Sequence, residues 1–202
     1  MPTAPNKIRV LMVCLGNICR SPTAEAMLRR KVHEAGLDDR IEVDSAGTAD
    51  YHVDSPPDRR AIAHGERRGL EMRHLRGRQV SREDFDRFDH VLAMDEDNLM
   101  DLRRLRPPGS HAKVALLLSY APEAGVREVP DPYYGGPEGF ETVLDLVEAA
   151  ADGFIASVVS NWSFSRAKTA FRRVGFGLLY RASAAKSACC AAPQHPPRAK
   201  ST

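Results

Sequence analysis

The apolar positions of this chain fall into short unbroken runs separated by longer stretches of helical spacing. The runs are Ile8–Val13, Ile41–Asp44, His90–Met94 and Lys113–Leu118. A short run without polar alternation reads as a strand covered on both faces. Helical patterns occupy the intervals at Thr23–Ala35, Asp58–Arg68, Glu96–Leu105 and Pro137–Val158. Pro22 stands near the first turn of the first of these, where a missing N–H is tolerated. Ser81-Arg82-Glu83-Asp84 is a capping signature that predicts one further short helix. The alternation of strand and helix predicts an α/β protein: a three-layer arrangement with a four-stranded parallel sheet flanked by helices. In such sheets ligands bind beyond the carboxyl ends of the strands.

Composition changes this picture mainly at the C-terminal end. Residues 1–158 make an ordinary domain length with enough apolar positions for a real core, whereas residues 159–202 read as a basic extension. Eight of the 29 Lys/Arg and none of the 27 Asp/Glu lie in Val159–Thr202, so a body of net −6 carries a tail of +8. Within the tail, Phe164, Phe171 and Leu178 recur every seven residues with Arg166, Lys168, Arg172 and Arg173 between them. That spacing predicts a basic amphipathic helix, weakened by Gly175 and Gly177. After Ala182 the Ala, Ser and Pro content predicts disorder. The tail's readings are a solvated extension, contact with an anionic membrane surface or another polyanion, or docking on the acidic body. Cys189-Cys190 would invite lipidation only in a host with suitable enzymes.

The four cysteines, at 14, 19, 189 and 190, give no disulfide framework, and the seven histidines are scattered without metal-ligand spacing. No metal or cofactor is expected. The first residues lack a charged segment followed by an apolar run, and no stretch is long enough to span a bilayer. The expected compartment is therefore the cytoplasm.

One segment carries chemistry: Val13-Cys14-Leu15-Gly16-Asn17-Ile18-Cys19-Arg20-Ser21-Pro22. Cys14 ends a strand and Pro22 starts a helix. Gly16 and Asn17 tolerate left-handed backbone angles, which let successive N–H groups turn inward toward the helix's unpaired donors. An anion belongs in such a cup. Helix donors and a guanidinium favour the thiolate form of a cysteine, giving a nucleophile that needs no separate base. Arg20 offers a planar fork for two phosphoryl oxygens, which lysine lacks. Ser21 can donate to the thiolate, and Asn17 can pin the loop through its amide. A lone cysteine at a strand end is ordinarily a small buried hydrophobe; the arginine six positions on, followed by serine, argues for phosphate. No Gly-Lys-Ser/Thr ending is present, so a nucleotide P-loop is excluded.

These residues, with Asp131-Pro132-Tyr133-Tyr134-Gly135 far downstream, resemble the low-molecular-weight protein tyrosine phosphatases. Asp44-Ser45-Ala46-Gly47, the helix start Asp58-Arg59-Arg60 and Val91-Leu92-Ala93-Met94-Asp95 extend the resemblance over about residues 6 to 158. It implies a flavodoxin-like fold and a phosphotyrosine phosphatase with Cys14 as nucleophile, Arg20 as phosphate clamp and Asp131 as general acid and base. Leu15, Gly16, Asn17, Ile18, Cys19 and Ser21 would complete the phosphate loop. Tyr51, Tyr133 and Tyr134 would flank the substrate ring, and Cys19 would protect Cys14 as a reversible disulfide. The partners would be phosphotyrosine proteins, with inorganic phosphate as product; phosphorylation of Tyr133 and Tyr134 is a further family trait. The chemistry agrees: a carboxyl group can protonate the leaving phenolate and then activate water, and Pro132 limits how far Asp131 wanders.

Three rivals bear comparison. Thioredoxin-coupled arsenate reductases share the loop but need a further cysteine pair, and none lies between Cys19 and Cys189. Protein arginine phosphatases resemble this loop with threonine where Ile18 stands and a different aromatic after the Asp-Pro. A phosphotyrosine-binding module without catalysis would be expected to lack Cys14, Arg20 or Asp131.

Overall fold

A computed structural model describes residues 7–174. Four parallel strands, β1 (Ile8–Cys14), β2 (Ile41–Gly47), β3 (His90–Ala93) and β4 (Lys113–Leu116), form one sheet in the order β2-β1-β3-β4. The helices are α1 (Arg20–Glu34), α2 (Arg59–Arg67), the four-residue α3 (Asp84–Arg87), α4 (Glu96–Leu105) and α5 (Pro137–Val174). This is the predicted α/β architecture.

The unbroken apolar run of β1 is explained by the two cores that it separates. Val10 and Met12 face one core with residues of α1, α2 and α5, while Leu11 and Val13 face the other with residues of α3 and α4. Every second side chain thus serves the same layer. The first core holds Met27, Leu28, Leu144 and Phe154, and the second holds Phe85, Phe88, Leu99 and Leu102. Each fully buried side chain of this size contributes on the order of 1.5–3 kcal/mol. Register places Cys14 opposite Gly47 and Val13 opposite Ala93, so three strands end at one level.

Several boundaries differ from the sequence reading. β2 continues through Ser45, Ala46 and Gly47, because the buried end of β1 needs a partner beyond Asp44. β4 stops at Leu116, and Leu117–Tyr120 form a 3-10 turn that still buries Leu117 and Leu118. α1 begins at Arg20 rather than Thr23, because the loop bends back sharply enough to start helical pairing there. The short helix at Ser81 is present, with the return half of the capping box in place: the Asp84 carboxylate accepts from the Ser81 N–H at 2.8 Å.

α5 extends past Val158 to Val174, taking in the first part of the tail segment read as helix. Residues 175–202, with the predicted disorder and Cys189-Cys190, lie outside the described residues. The chain divides into Met1–Ser163 and Phe164–Thr202 as separate units. Among the described residues no helix is long and apolar enough to cross a membrane.

Two contacts fix α5 in the first unit. Gly153 lets its backbone approach the Tyr120 carbonyl so closely that an added Cβ would stand 1.8 Å from that oxygen. Gly153→Ala should therefore lower the urea midpoint despite a helix-propensity gain of about 1 kcal/mol, because overpacking of this kind typically costs about 1–3 kcal/mol. An unchanged or raised midpoint would refute it.

On the same helix, Glu141 accepts from Arg68 at 2.7 Å and meets His64 Nδ1 at 2.5 Å. Arg68 first, then His64, hold its carboxyl down from 4.5 to about 2. A depressed folded value means stability that is complete above about pH 4.5 and lost as pH falls toward 2. Glu141→Gln should flatten the acid limb of stability over that window in urea titrations at stepped pH. An acid limb as steep as the native one would show that the α2–α5 clamp does not contribute.

Candidate active site

Cys14 ends β1 at the crevice between β1 and β3 where the strand order reverses, the position that doubly wound sheets leave open. It is 3% exposed. Its Sγ lies 3.0 Å from Ser21 Oγ and accepts the Asn17 N–H at 3.3 Å. Asn17 is the residue with the left-handed turn, at φ 54°. Gly16, the other residue read as tolerating that turn, is not left-handed; its lack of a side chain matters because an added Cβ would stand 3.0 Å from His52 Cδ2.

A buried polar network makes the Asn17 conformation tolerable. The Asn17 amide donates to Ser21 Oγ and to Ser45 Oγ, each at 2.9 Å, and its Oδ1 accepts from the Arg78 N–H at 3.0 Å. Ser45 Oγ in turn donates to Glu25 Oε2 at 2.6 Å. With Ser45 thus committed as donor toward Glu25, the Asn17 amide must face it with its NH2, which fixes the amide's orientation. Burial raises the Glu25 carboxyl above its usual range, against the pull of Ser45 and Arg29. The loop also rests on the end of β2, where a Cβ on Gly47 would meet the Leu15 carbonyl at 2.7 Å.

Arg20 is the first residue of α1, and its side chain is only 5% exposed. Nη1 pairs with Asp95 Oδ2 at 2.5 Å and donates to the Val129 carbonyl at 3.3 Å, while Nη2 pairs with Asp131 Oδ2 at 2.9 Å. Burial opposes its charge, but Cys14, Asp95 and Asp131 outweigh burial and raise its pKa. Asp95 also caps α4, accepting from the Asn98 N–H at 2.7 Å. No acidic side chain occupies the first turn of α1, so nothing there competes with an incoming anion for its donors.

Three chain segments line a cavity of about 220 Å³ over this loop: Cys14, Leu15, Gly16, Ile18, Cys19 and Arg20; then Tyr51 and His52; then Asp131, Tyr133 and Tyr134. Every site residue read from the sequence is here except Asn17 and Ser21, which hold the loop from behind. Tyr51 and Tyr134 are 75% and 95% exposed, so they serve as walls of the mouth and not as core. Sequence reading missed His52, and it named Asp58, Arg60 and Asp95 only as part of the resemblance, with no role at the site. Asp95 had a usable signal, since it follows a strand end as Cys14 does; His52 had only its place beside Tyr51.

A phosphate-sized cradle with a thiol at its base and a buried guanidinium beside it, set at the switch point of a doubly wound sheet, defines a cysteine-based anion site. The chain belongs to the low molecular weight phosphotyrosine protein phosphatase family, whose model matches residues 9–163. It is 48% identical over 153 residues to the low molecular weight protein-tyrosine-phosphatase of Streptomyces coelicolor, covering 74% of this chain and 93% of that one. A protein tyrosine phosphatase structure from Entamoeba histolytica with Hepes in its active site superposes with a TM-score of 0.74 at 37% identity, over 77% of this chain and 99% of that one. An arginine phosphatase structure from Drosophila gives 0.71 at 34% identity, over 75% and 98%.

Cys19 shares the loop with Cys14 but not its setting. Burial, then the nearby charges of Asp58 and Cys14, push its thiol up to about 12. It should stay protonated at pH 8 and resist iodoacetamide while Cys14 is labelled, as read by peptide mass spectrometry. Labelling of Cys19 as fast as Cys14 would contradict this.

Proposed function

We propose that this protein is a protein-tyrosine phosphatase that works through a cysteinyl-phosphate. The observation that carries the reading is the convergence of Cys14 Sγ, the Arg20 fork and the Asp131 carboxylate on one cavity walled by tyrosines. Cys14 attacks phosphorus while Arg20 and the loop N–H groups hold the phosphoryl oxygens. Substrate oxygens compete with Asp131 for Arg20 Nη2, and the released carboxyl delivers a proton to the leaving phenolate. Ser21, 3.0 Å from Sγ, stabilises the sulfur as nucleophile and again as leaving group. Asp131 then takes a proton from water, which opens the S–P bond and frees inorganic phosphate. In the same reading Cys19 is the thiol that captures a Cys14 sulfenic acid as a disulfide.

Tyr51, Tyr133 and Tyr134 offer flat apolar surfaces at a depth that favours a phenyl ester over the shorter phosphoserine. The substrates are phosphotyrosine proteins, met in the cytoplasm. For the basic segment 159–202 three readings stay open: a solvated extension, contact with an anionic membrane surface or another polyanion, and docking on the acidic body. A second reading, phosphoarginine hydrolysis, draws on the likeness to the Drosophila arginine phosphatase; Ile18 and the Tyr133-Tyr134 pair favour the first.

Phosphotyrosine and phosphoarginine peptides assayed side by side in chelator should show preferential phosphotyrosine turnover. Cys14→Ser should abolish it, and Asp131→Ala should slow aryl phosphates about 100-fold or more when the leaving group is poor. Preference for phosphoarginine would shift the reading to the rival. Equal loss for good and poor leaving groups would remove Asp131 as the acid.

A further inference from the structure

Arg60 lies outside the cavity yet grips both loops that build it. Its Nε and Nη2 take the two oxygens of Asp58 at 3.0 and 2.9 Å, and its Nη1 donates to the Tyr133 carbonyl at 3.0 Å. The guanidinium sits 5.2 Å from the Tyr133 ring centroid and 5.0 Å from that of Phe140. Asp58 is itself fixed: it caps α2 through the Arg60 N–H at 2.8 Å, and its own N–H donates to the Ile18 carbonyl of the phosphate loop at 2.8 Å. At the other end, the Tyr133 N–H donates to Asp131 Oδ1 at 3.0 Å. One side chain therefore links the loop that holds the nucleophile to the segment that holds the proposed acid.

We propose that Arg60 is a positioning residue for the proton-transfer step, acting on Asp131 through Tyr133; this rests on the reading of Asp131 as general acid. The two oxygens of Asp131 are held differently. Oδ2 is held by Arg20, the group for which substrate phosphate competes, and Oδ1 by the Tyr133 N–H. Once phosphate has taken Arg20, the Tyr133 contact is what aims the carboxyl. Tyr133 keeps its place because Arg60 holds it by carbonyl and ring together. A bidentate carboxylate fixes the plane of the fork, so the third nitrogen points in one direction; lysine, a point charge on a flexible stem, would not do so.

Exposed ion pairs of this kind contribute little to global stability, so Arg60→Met should remain folded. Its kcat/KM for phenyl phosphate should fall about tenfold to a hundredfold, the scale of a misplaced catalytic group. For a dinitrophenyl phosphate, which needs no acid, the fall should be under about threefold, and the inhibition constant of inorganic phosphate should stay within about twofold. In an Asp131→Ala background the same Arg60→Met change should cost phenyl phosphate under about threefold, because the group it aims is gone. Equal losses for the two esters, an undiminished loss in the Asp131→Ala background, or weakened phosphate inhibition would each overturn the proposal. If Asp131→Ala itself fails to discriminate between the esters, the acid reading falls and the proposal with it. If Asp131→Ala discriminates and Arg60→Met does not, only the proposal falls.

Discussion

A guanidinium buried to the extent of Arg20 cannot stand alone, because desolvating an unpaired charge costs several kcal/mol or more. Its charge is answered from two distant parts of the chain: the Asp95 cap of α4 and the Asp131 segment ahead of α5. These elements cannot be placed independently, since each completes the solvation of the same cation. The arrangement that makes Arg20 tolerable also fixes what it can do. A planar donor pair already held in position, with little solvent around it, has little reorganisation left when a phosphoryl group arrives.

The scaffold supplies the crevice in which that charge sits. β1 carries one core on each face, so its side chains alternate between layers and its end is held by β2 and β3 together. The loop that leaves it is rigid for polar reasons. Asn17 occupies a left-handed conformation that costs a non-glycine residue energy, and its amide is held by Ser21, Ser45 and the Arg78 backbone. Stability and chemistry meet at this amide, which shapes the N–H cup and orients the hydroxyl beside Cys14.

Much of this was legible in the order of residues. Continuous apolar runs marked the strands, because a strand covered on both faces has no polar side to show. The spacing of Cys14, Arg20 and Ser21 marked the anion loop, because strand end, bend and helix start follow one another without interruption. The strand ends were read short or long where packing overrode pattern: Leu117 and Leu118 are as buried in a 3-10 turn as they would be in β4. Gly16 and Asn17 were both read as able to turn left-handed, and it is Asn17 that does so, since its side chain finds three partners that only the folded protein brings to it.

The sequence alone determined the alternation of strand and helix and the local chemistry of the phosphate loop, because both depend on neighbours a few positions apart. Tertiary structure decided that Asp95 and Asp131, 75 and 111 residues beyond Arg20, share its guanidinium. It also decided that His52 closes over Gly16 and that Arg60 reaches from Asp58 to Tyr133. These pairings follow from strand order β2-β1-β3-β4, which sets elements distant in sequence around one crevice, and no periodicity along the chain encodes which strand lies beside which.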